Sequence, residues 1–276
     1  MMDPMVKDIE LLAKHLRKEI IEISYNTGKK GVHIGPALSC ADILAVLYGG
    51  IMNYKADEPT WEERDRFILS KGHAYAAIYS ILSLSGYCSH EYLMENFMAT
   101  EGGRFPVHPV KDLEMGIETS SGSLGMGLGY AVGKAMAAKR KNEKHQIYVL
   151  CGDGECNEGS IWEAVFSAAQ YKLDNLTLFI DHNNYQQDGL TQNLMQIDFL
   201  KMFEAAGWIV RDVDGHNVEE LYNSLEKEQH NEGKPVVYVC NTIKGKGISF
   251  MEGDNSWHHA SMSEEQYNQA INELKD

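Results

Sequence analysis

Two short apolar runs flank a stretch with helical spacing in the middle of the chain. Residues 147–150 and 176–180 are rich in β-branched and aromatic side chains, and each run is soon followed by a small or polar residue. Between the runs Ile161, Val165 and Ala168 recur at the spacing of one helix face. This order predicts a strand, a crossover helix and a second strand that runs parallel to the first.

Helical spacing and apolar runs alternate along the rest of the chain as well. The other helical stretches are 5–26, 40–48, 74–84, 131–138, 201–206 and 217–228, and the other strands are 208–213 and 235–242. The predicted fold is therefore α/β, with a parallel sheet covered by helices on both faces. The length suits one large domain, which we expect to span residues 1–276.

Charge, hydropathy and cysteine spacing limit which partners and which cellular compartment we expect for this protein. The formal net charge of −15 opposes nonspecific binding to nucleic acid. No stretch approaches the roughly 18 apolar residues of a membrane span, and residues 1–22 carry charges throughout, unlike a signal peptide. The five cysteines lack the spacing of a zinc site. We therefore expect a cytoplasmic protein with reduced thiols and no nucleic-acid or membrane partner.

Polar groups follow the two central strands where each one ends. Asp153 stands between Gly152 and Gly154 after the first strand, and Asn183 follows the second. The carboxyl ends of neighbouring parallel strands lie at one edge of the sheet, so these side chains should meet there. Carboxylate and amide oxygens suit Mg²⁺, which takes further oxygens from phosphate, and the glycines leave room for that phosphate. Taken alone, the glycines also fit an ordinary strand–turn–helix connection.

These residues also carry a family resemblance. Gly152-Asp153-Gly154 followed by Asn183-Asn184 resembles the thiamine diphosphate and magnesium signature, and the surrounding chain resembles transketolase. The resemblance implies a thiamine diphosphate-binding fold in which Asp153, Asn183 and the carbonyl of Tyr185 hold Mg²⁺. The other implied cofactor contacts are Gly122, Ser123, Leu124, Gly152, Gly154 and Glu158. Glu158 fits equally well as a carboxylate at a helix N-terminus.

Four histidines stand beside Gly, Pro or Trp in predicted loops or at helix starts. They are His33, His73, His108 and His258. Each one alone is more often a structural histidine than a catalytic one. The resemblance implies that His73 and His258 face the cofactor, that His258 also faces the substrate, and that His33 and His108 lie on the substrate side. Imidazoles there would donate hydrogen bonds and move protons during transfer of a two-carbon ketol unit.

The resemblance also implies a partner chain. Transketolases of the common kind are more than twice as long, and their other half binds the pyrimidine and supplies the glutamate that activates the cofactor. We therefore expect the N-terminal subunit of a split transketolase, active only with a C-terminal subunit that carries the pyrimidine-binding domain, in an α2β2 assembly. The stretch Lys244-Gly245-Lys246-Gly247 resembles such N-terminal subunits. It fits a basic turn that meets phosphate as well as a solvated turn.

Four positions depart from the family pattern where a substrate would lie: Pro36, Val107, Met126 and His259. They indicate an altered choice of ketose donor or aldose acceptor, with drift at tolerant positions as the alternative. The expected substrate is thus a sugar, a sugar phosphate or a related acidic sugar.

Other functions share the diphosphate motif. The chain could be part of a deoxyxylulose phosphate synthase or of a 2-oxo acid dehydrogenase, or it could be a non-catalytic scaffold. The four histidines argue against the dehydrogenase. The polar groups Asp153 and Asn183 argue against a scaffold, since a purely structural chain has no use for an unneutralised carboxylate at a strand end.

Overall fold

Five parallel strands form the sheet that carries the site. The computed structural model describes residues 3–99, 102–227 and 233–275. The strands are β1 (Arg66–Leu69), β2 (Ile147–Gly152), β3 (Leu176–His182), β4 (Tyr185–Gln186), β5 (Gly189–Leu190), β6 (Ile209–Asp214) and β7 (Val236–Asn241). The helices are α1 (Pro4–Asn26), α2 (Ile34–Ser39), α3 (Ala41–Val46), α4 (Tyr75–Leu84), α5 (His90–Asn96), α6 (Met126–Lys141), α7 (Gly159–Gln170), α8 (Thr191–Leu194), α9 (Phe199–Ala205), α10 (Val218–Lys227) and α11 (Glu264–Glu273).

The strand order places the two central strand ends side by side. The sheet runs β1-β2-β3-β7-β6 with every pair parallel, and α7 connects β2 to β3. Gly152 lies opposite Asp181 in the register between these two strands. This confirms the predicted strand–helix–strand unit. A short antiparallel hairpin of β4 and β5 follows β3 directly.

Helices cover both faces of the sheet, as the sequence predicts. Every residue of β2 is buried, so alternate side chains of the strand enter two different hydrophobic clusters. Tyr148 and Leu150 pack with residues of α1 to α4 and α10, whereas Val149 and Cys151 pack with residues of α6, α7 and α9. The strands are therefore near-continuous apolar runs, which is typical of a parallel sheet.

The structure differs from the prediction in several elements, and α2, α5 and α11 are among those that the sequence did not indicate. Sequence reasoning missed β1, because this strand has only four residues and begins with the charged Arg66. The helix predicted from residue 131 begins at Met126. Gly127 lies in its first turn, where only glycine fits because a Cβ would come 2.4 Å from Ser70 Oγ. The helix predicted over 217–228 is seen as α10, and residue 228 lies outside the described residues.

Two expectations from composition can be compared with the described structure. Across the described ranges, no helix has both the length and the apolar character needed to cross a membrane. All five cysteines are unpaired, and Cys40, Cys151, Cys156 and Cys240 are buried.

A buried ion pair ties the sheet to the helices beneath the site. Lys71 follows β1 and contacts Asp181 of β3, and both side chains are at most 1% exposed. Asp181 also accepts hydrogen bonds from Ser39 Oγ in α2 at 2.5 Å, from Asn183 Nδ2 at 3.1 Å and from the hydroxyl of Thr242. Lys71 Nζ donates a further bond to the carbonyl of Pro36 at 3.0 Å. The pair therefore joins α2, the segment after β1 and the ends of β3 and β7.

Breaking this pair should destabilise the chain strongly. Lys71→Met leaves the Asp181 carboxylate buried without a counter-charge, and we expect a loss of about 3–5 kcal/mol in the free energy of unfolding. Urea unfolding of the purified chain measures this loss. Lys201→Met is the matched control, since it removes an ion pair with Asp198 whose lysine is 83% exposed. A Lys71→Met midpoint as close to wild type as that of the control would contradict the assignment.

Candidate functional site

Asp153 joins the ends of the two central strands. Its Oδ1 accepts a hydrogen bond from Gly154 N at 2.7 Å, and its Oδ2 accepts one from Asn184 N at 2.6 Å. Asn184 adopts a left-handed conformation with φ 66°, which asparagine tolerates better than most residues. Asp153 therefore bridges the chain after β2 to the chain after β3, so the predicted convergence of Asp153 with the Asn183 segment is confirmed.

The Asn183 side chain is held in one orientation. Its Nδ2 donates to Asp181 Oδ2 at 3.1 Å, and its Oδ1 accepts from Tyr185 N at 3.1 Å. Each acceptor oxygen of Asp153 and Asn183 uses one lone pair in these bonds and keeps a second one.

The charge balance at the strand ends favours a cation. Burial and the neighbouring Asp181 carboxylate raise the pKa of Asp153 to about 7. Lys71, which is paired with Asp181, lowers this pKa only in part. Among the described residues no group of three or more His, Cys, Asp or Glu side chains could hold a metal ion. A hard cation here would thus take one carboxylate, an amide oxygen and further oxygens from a ligand, which is the way Mg²⁺ binds beside phosphates.

Glu155 is a buried carboxylate that sequence reasoning missed. Its Oε1 accepts from Ser70 Oγ at 2.5 Å and from Gly125 N at 2.9 Å, and its Oε2 accepts from Gly152 N at 3.0 Å. Burial raises the pKa of this carboxyl. Glu155 therefore fixes the loop before α6 against the end of β2. The only signal in the sequence is an acidic residue next to the Gly-Asp-Gly turn, which is too common to single out.

A cavity of about 390 Å³ opens at this edge of the sheet. It brings together most of the residues predicted from the sequence, including all four histidines. The predicted residues among its lining are His33, Pro36, His73, His108, Gly122, Leu124, Gly152, Asp153, Gly154, Glu158, Asn183, Tyr185, Lys244 and His258. The lining residues that the sequence did not indicate are Lys71, Glu155, Asn157, Gln186 and Gln187.

Three of the histidines form a cluster in which each imidazole stays neutral. Ring centroids lie 5.8 Å apart for His33 and His73, 5.3 Å for His33 and His258, and 5.6 Å for His73 and His258. Burial and neighbouring positive or histidine groups lower the pKa of His33 to about 4 and that of His258 to about 3. Burial and Lys71 also hold the pKa of His73 well below its usual value. Each ring therefore offers one N–H donor and one acceptor near neutral pH.

Lys244, the first residue of the turn 244–247, is buried rather than solvated. Lys244 is 1% exposed, and its Nζ donates to Asn255 Oδ1 at 2.6 Å and lies 2.8 Å from His258 Nδ1. Since an ammonium only donates, His258 Nδ1 is the acceptor and the His258 proton resides on Nε2. Burial and the nearby Lys71 lower the pKa of Lys244 to about 8, so its positive charge persists at pH 7. The solvated alternative is thus wrong for Lys244.

The positions that depart from the family pattern fall into two groups. Pro36 lines the cavity, and the His259 ring lies 4.6 Å from the His33 ring at a steep angle. Val107 and Met126 are exposed and do not line the cavity, and neither does Ser123.

Comparison with known proteins agrees with this geometry. Residues 13–275 match the family model described as transketolase, thiamine diphosphate binding domain. The chain is 39% identical over 272 residues to one of the subunits of the apulose-4-phosphate transketolase of Phocaeicola vulgatus, and the match covers 98% of this chain and 95% of that protein. It is 40% identical over 270 residues to 6-deoxy-6-sulfo-D-fructose transketolase subunit SqwG of a Clostridium species, with 97% and 96% covered.

A solved structure shows the same fold. The transketolase of Campylobacter jejuni superposes with a TM-score of 0.87 at 32% identity, and the match covers 99% of this chain but 43% of that one. The two relatives that are named as transketolase subunits confirm the prediction, made from the sequence motifs, of the N-terminal subunit of a split transketolase. The α/β fold with its thiamine diphosphate-binding architecture is likewise confirmed. The chain therefore belongs to the transketolase family, whose thiamine diphosphate-binding domain it contains.

Proposed function

We propose that this chain works as the N-terminal subunit of a two-chain transketolase that moves a two-carbon ketol unit from a ketose to an aldose. The observation that carries the proposal is one cavity in which Asp153 and Asn183 lie beside the four histidines. The match to a thiamine diphosphate-binding domain supplies the cofactor class.

Asp153, Asn183 and the carbonyl of Tyr185 are the proposed ligands of Mg²⁺. Among the described residues no basic side chain forms an ion pair with the buried Asp153 carboxylate, and a divalent ion would supply the missing charge. A Cβ at Gly154 would come 2.7 Å from Gln186 Cγ, so glycine is what lets the turn after β2 lie against the Gln186 side chain in the cavity wall. Lys244 adds a positive charge to the same cavity that no described carboxylate neutralises through an ion pair.

The remaining proposed cofactor contacts surround this anion site. They are His73, Gly122, Ser123, Leu124, Gly152, Glu158 and His258. Ser123 does not itself line the cavity, and it is proposed through its backbone because its neighbours Gly122 and Leu124 do and the family resemblance implies a backbone contact. When bound, thiamine diphosphate supplies the carbon centre that carries the two-carbon unit.

The histidines are proposed to bind the sugar and to move its protons. His258 presents Nε2–H to the cavity because Lys244 occupies its Nδ1. His33 lines the same cavity and is proposed to bind a substrate hydroxyl there. His108 is exposed beside Gly122 and completes the substrate side. Neutral imidazoles can both donate and accept, which a hydroxyl that gains or loses a proton requires.

The pyrimidine-binding domain is proposed to lie on a separate C-terminal subunit, with an α2β2 assembly. The near-complete coverage of relatives that are called subunits supports this division, and residues 1–276 then form a single diphosphate-binding domain. The cytoplasmic location expected from the sequence remains a prediction.

The proposed donor is a phosphorylated or sulfonated ketose. One relative is named for apulose 4-phosphate and another for 6-deoxy-6-sulfo-D-fructose, so both anionic classes occur among similar subunits. Pro36 in the cavity wall and His259 against His33 are the positions at which this chain would set its own preference.

Removing the metal ligand should weaken binding of the cofactor. Isothermal titration of thiamine diphosphate into the two-chain assembly, with Mg²⁺ present, measures the affinity. We expect Asp153→Ala to weaken binding more than about tenfold, because even groups behind a metal ligand are worth about 10–100-fold. Asp57→Ala, an exposed aspartate far along the sequence, is the control. Unchanged affinity in Asp153→Ala, or unchanged affinity after chelation of Mg²⁺, would sink the metal assignment.

Turnover should require both subunits. We expect the purified chain to show no ketol transfer alone and to gain it when the C-terminal subunit is added, since the cofactor must be activated from the other half. A coupled assay of aldehyde release measures this. Full turnover by the chain alone would refute the division of labour, and decarboxylation of pyruvate by the assembled pair would favour the other thiamine enzymes.

The assembled enzyme should prefer anionic ketoses. A panel of unphosphorylated, phosphorylated and sulfonated ketoses gives kcat/KM for each donor. We expect the best anionic donor to exceed its uncharged counterpart by about tenfold or more, the size of one hydrogen-bonded charge contact. Equal kcat/KM for charged and uncharged donors would contradict the proposal.

A further inference from the structure

We propose that His216 is a positioning residue that, together with Arg17 and Asp42, holds the loop 243–247 so that Lys244 meets His258. The catalytic consequence rests on the proposed function. The structural part stands on contacts outside the cavity, since none of these three side chains lines it.

Asp42 is the centre of the network. Arg17 binds it through two parallel hydrogen bonds, Nη1 to Oδ1 at 2.9 Å and Nη2 to Oδ2 at 2.5 Å. His216 Nδ1 lies 2.7 Å from the same Oδ2. The side chains are 10%, 7% and 12% exposed for Arg17, Asp42 and His216. A fork-to-carboxylate pair of this kind is rigid, so it fixes α1 to α3 and presents one oxygen to His216.

His216 and Arg17 each form a hydrogen bond to the backbone of the loop after β7. His216 Nε2 accepts a hydrogen bond from Ile243 N at 2.8 Å, and Arg17 Nε donates to the carbonyl of Lys246 at 3.1 Å. Gly247 lies against Arg17, since a Cβ there would come 2.8 Å from Arg17 Cδ, and its φ is +94°. The backbone on both sides of Lys244 is therefore fastened to groups that lie outside the cavity.

The loop 243–247 places the Lys244 ammonium beside His258. Between the two fastened points, Lys244 turns inward, where its Nζ meets Asn255 Oδ1 and His258 Nδ1. That contact determines which nitrogen of His258 carries the proton. Loss of the hydrogen bond from Ile243 N to His216 should allow Lys244 to move away from His258. His258 would then sample both tautomers.

Only one tautomer of His216 can make both of its bonds. Nε2 receives the Ile243 N–H and must be unprotonated, so Nδ1 carries the proton and donates it to Asp42. Asparagine at this position places an amide nitrogen near the site of Nδ1 and can keep the bond to Asp42, but it is too short to reach Ile243. Glutamine places an oxygen near the site of Nε2 and can accept from Ile243.

This pair of substitutions tests the proposal. We expect His216→Asn to lower kcat of the assembled enzyme by about tenfold or more with little change in KM, since a small misplacement of a catalytic group costs up to about a hundredfold. His216→Gln should stay within about threefold of wild type. His15→Asn, the same substitution at an exposed histidine of α1, is the control.

An NMR measurement on the full chain gives an answer that does not depend on activity. With ¹⁵N-labelled histidine, and His258 assigned from the spectrum of His258→Gln, wild type and His216→Gln should show the Nε2–H tautomer. His216→Asn should show averaged signals. Equal kcat losses in the two His216 variants, a kcat of His216→Asn within twofold of wild type, or loss of the tautomer in His216→Gln would each overturn the proposal. A wild-type assembly without ketol transfer would instead refute the proposed function and leave the NMR test standing.

Discussion

The Lys71–Asp181 ion pair is the interaction on which the site depends. Removing two charges from water is costly, and the cost is offset only when the remaining hydrogen-bonding positions are also filled. Here Ser39, Thr242 and Asn183 fill those of the carboxylate. The donors come from α2 and from the ends of β7 and β3, so the pair can form only in the assembled fold. It also affects the charge of the cavity, because Lys71 forms its ion pair with Asp181 and offsets only part of the rise in the pKa of Asp153.

Three buried carboxylates at the strand ends differ in their partners and therefore in their use. Burial alone would raise the pKa of each one. At Asp181, Lys71 and the hydrogen bonds from Ser39 and Thr242 together outweigh burial and lower the pKa, so this group stays ionised and structural. Glu155 is held by a hydroxyl and two backbone amides, and its pKa is raised. Asp153 lies beside an ionised neighbour without a cation of its own, which makes it the carboxylate at which a divalent ion is most stabilising.

Sequence reasoning predicted the features that depend on the local order of residues, and it missed those that depend on contacts between residues distant in the sequence. Asp153 and Asn183 follow from two strands joined by one crossover, and the structure places them as predicted. The Lys71 partner lies 110 residues away, so no spacing rule could connect it to Asp181. Lys244 remained ambiguous because glycines on either side of Lys246 fit a solvated turn, and only the packing of Asn255 and His258 shows that it is buried. Strand β1 was missed because four residues are too few to show a hydrophobic periodicity.

The electrostatics of the cavity link the anion site to the histidines. Lys244 helps to lower the pKa of His33, His73 and His258, and Lys71 acts in the same direction on His73 and His258. The cations that attract a diphosphate therefore also keep the imidazoles neutral. An anion bound between them would offset the part of this effect that comes from the cations, whereas burial, which is the larger cause, would remain. The network of Arg17, Asp42 and His216 contributes to this link because it fixes the distance between Lys244 and His258.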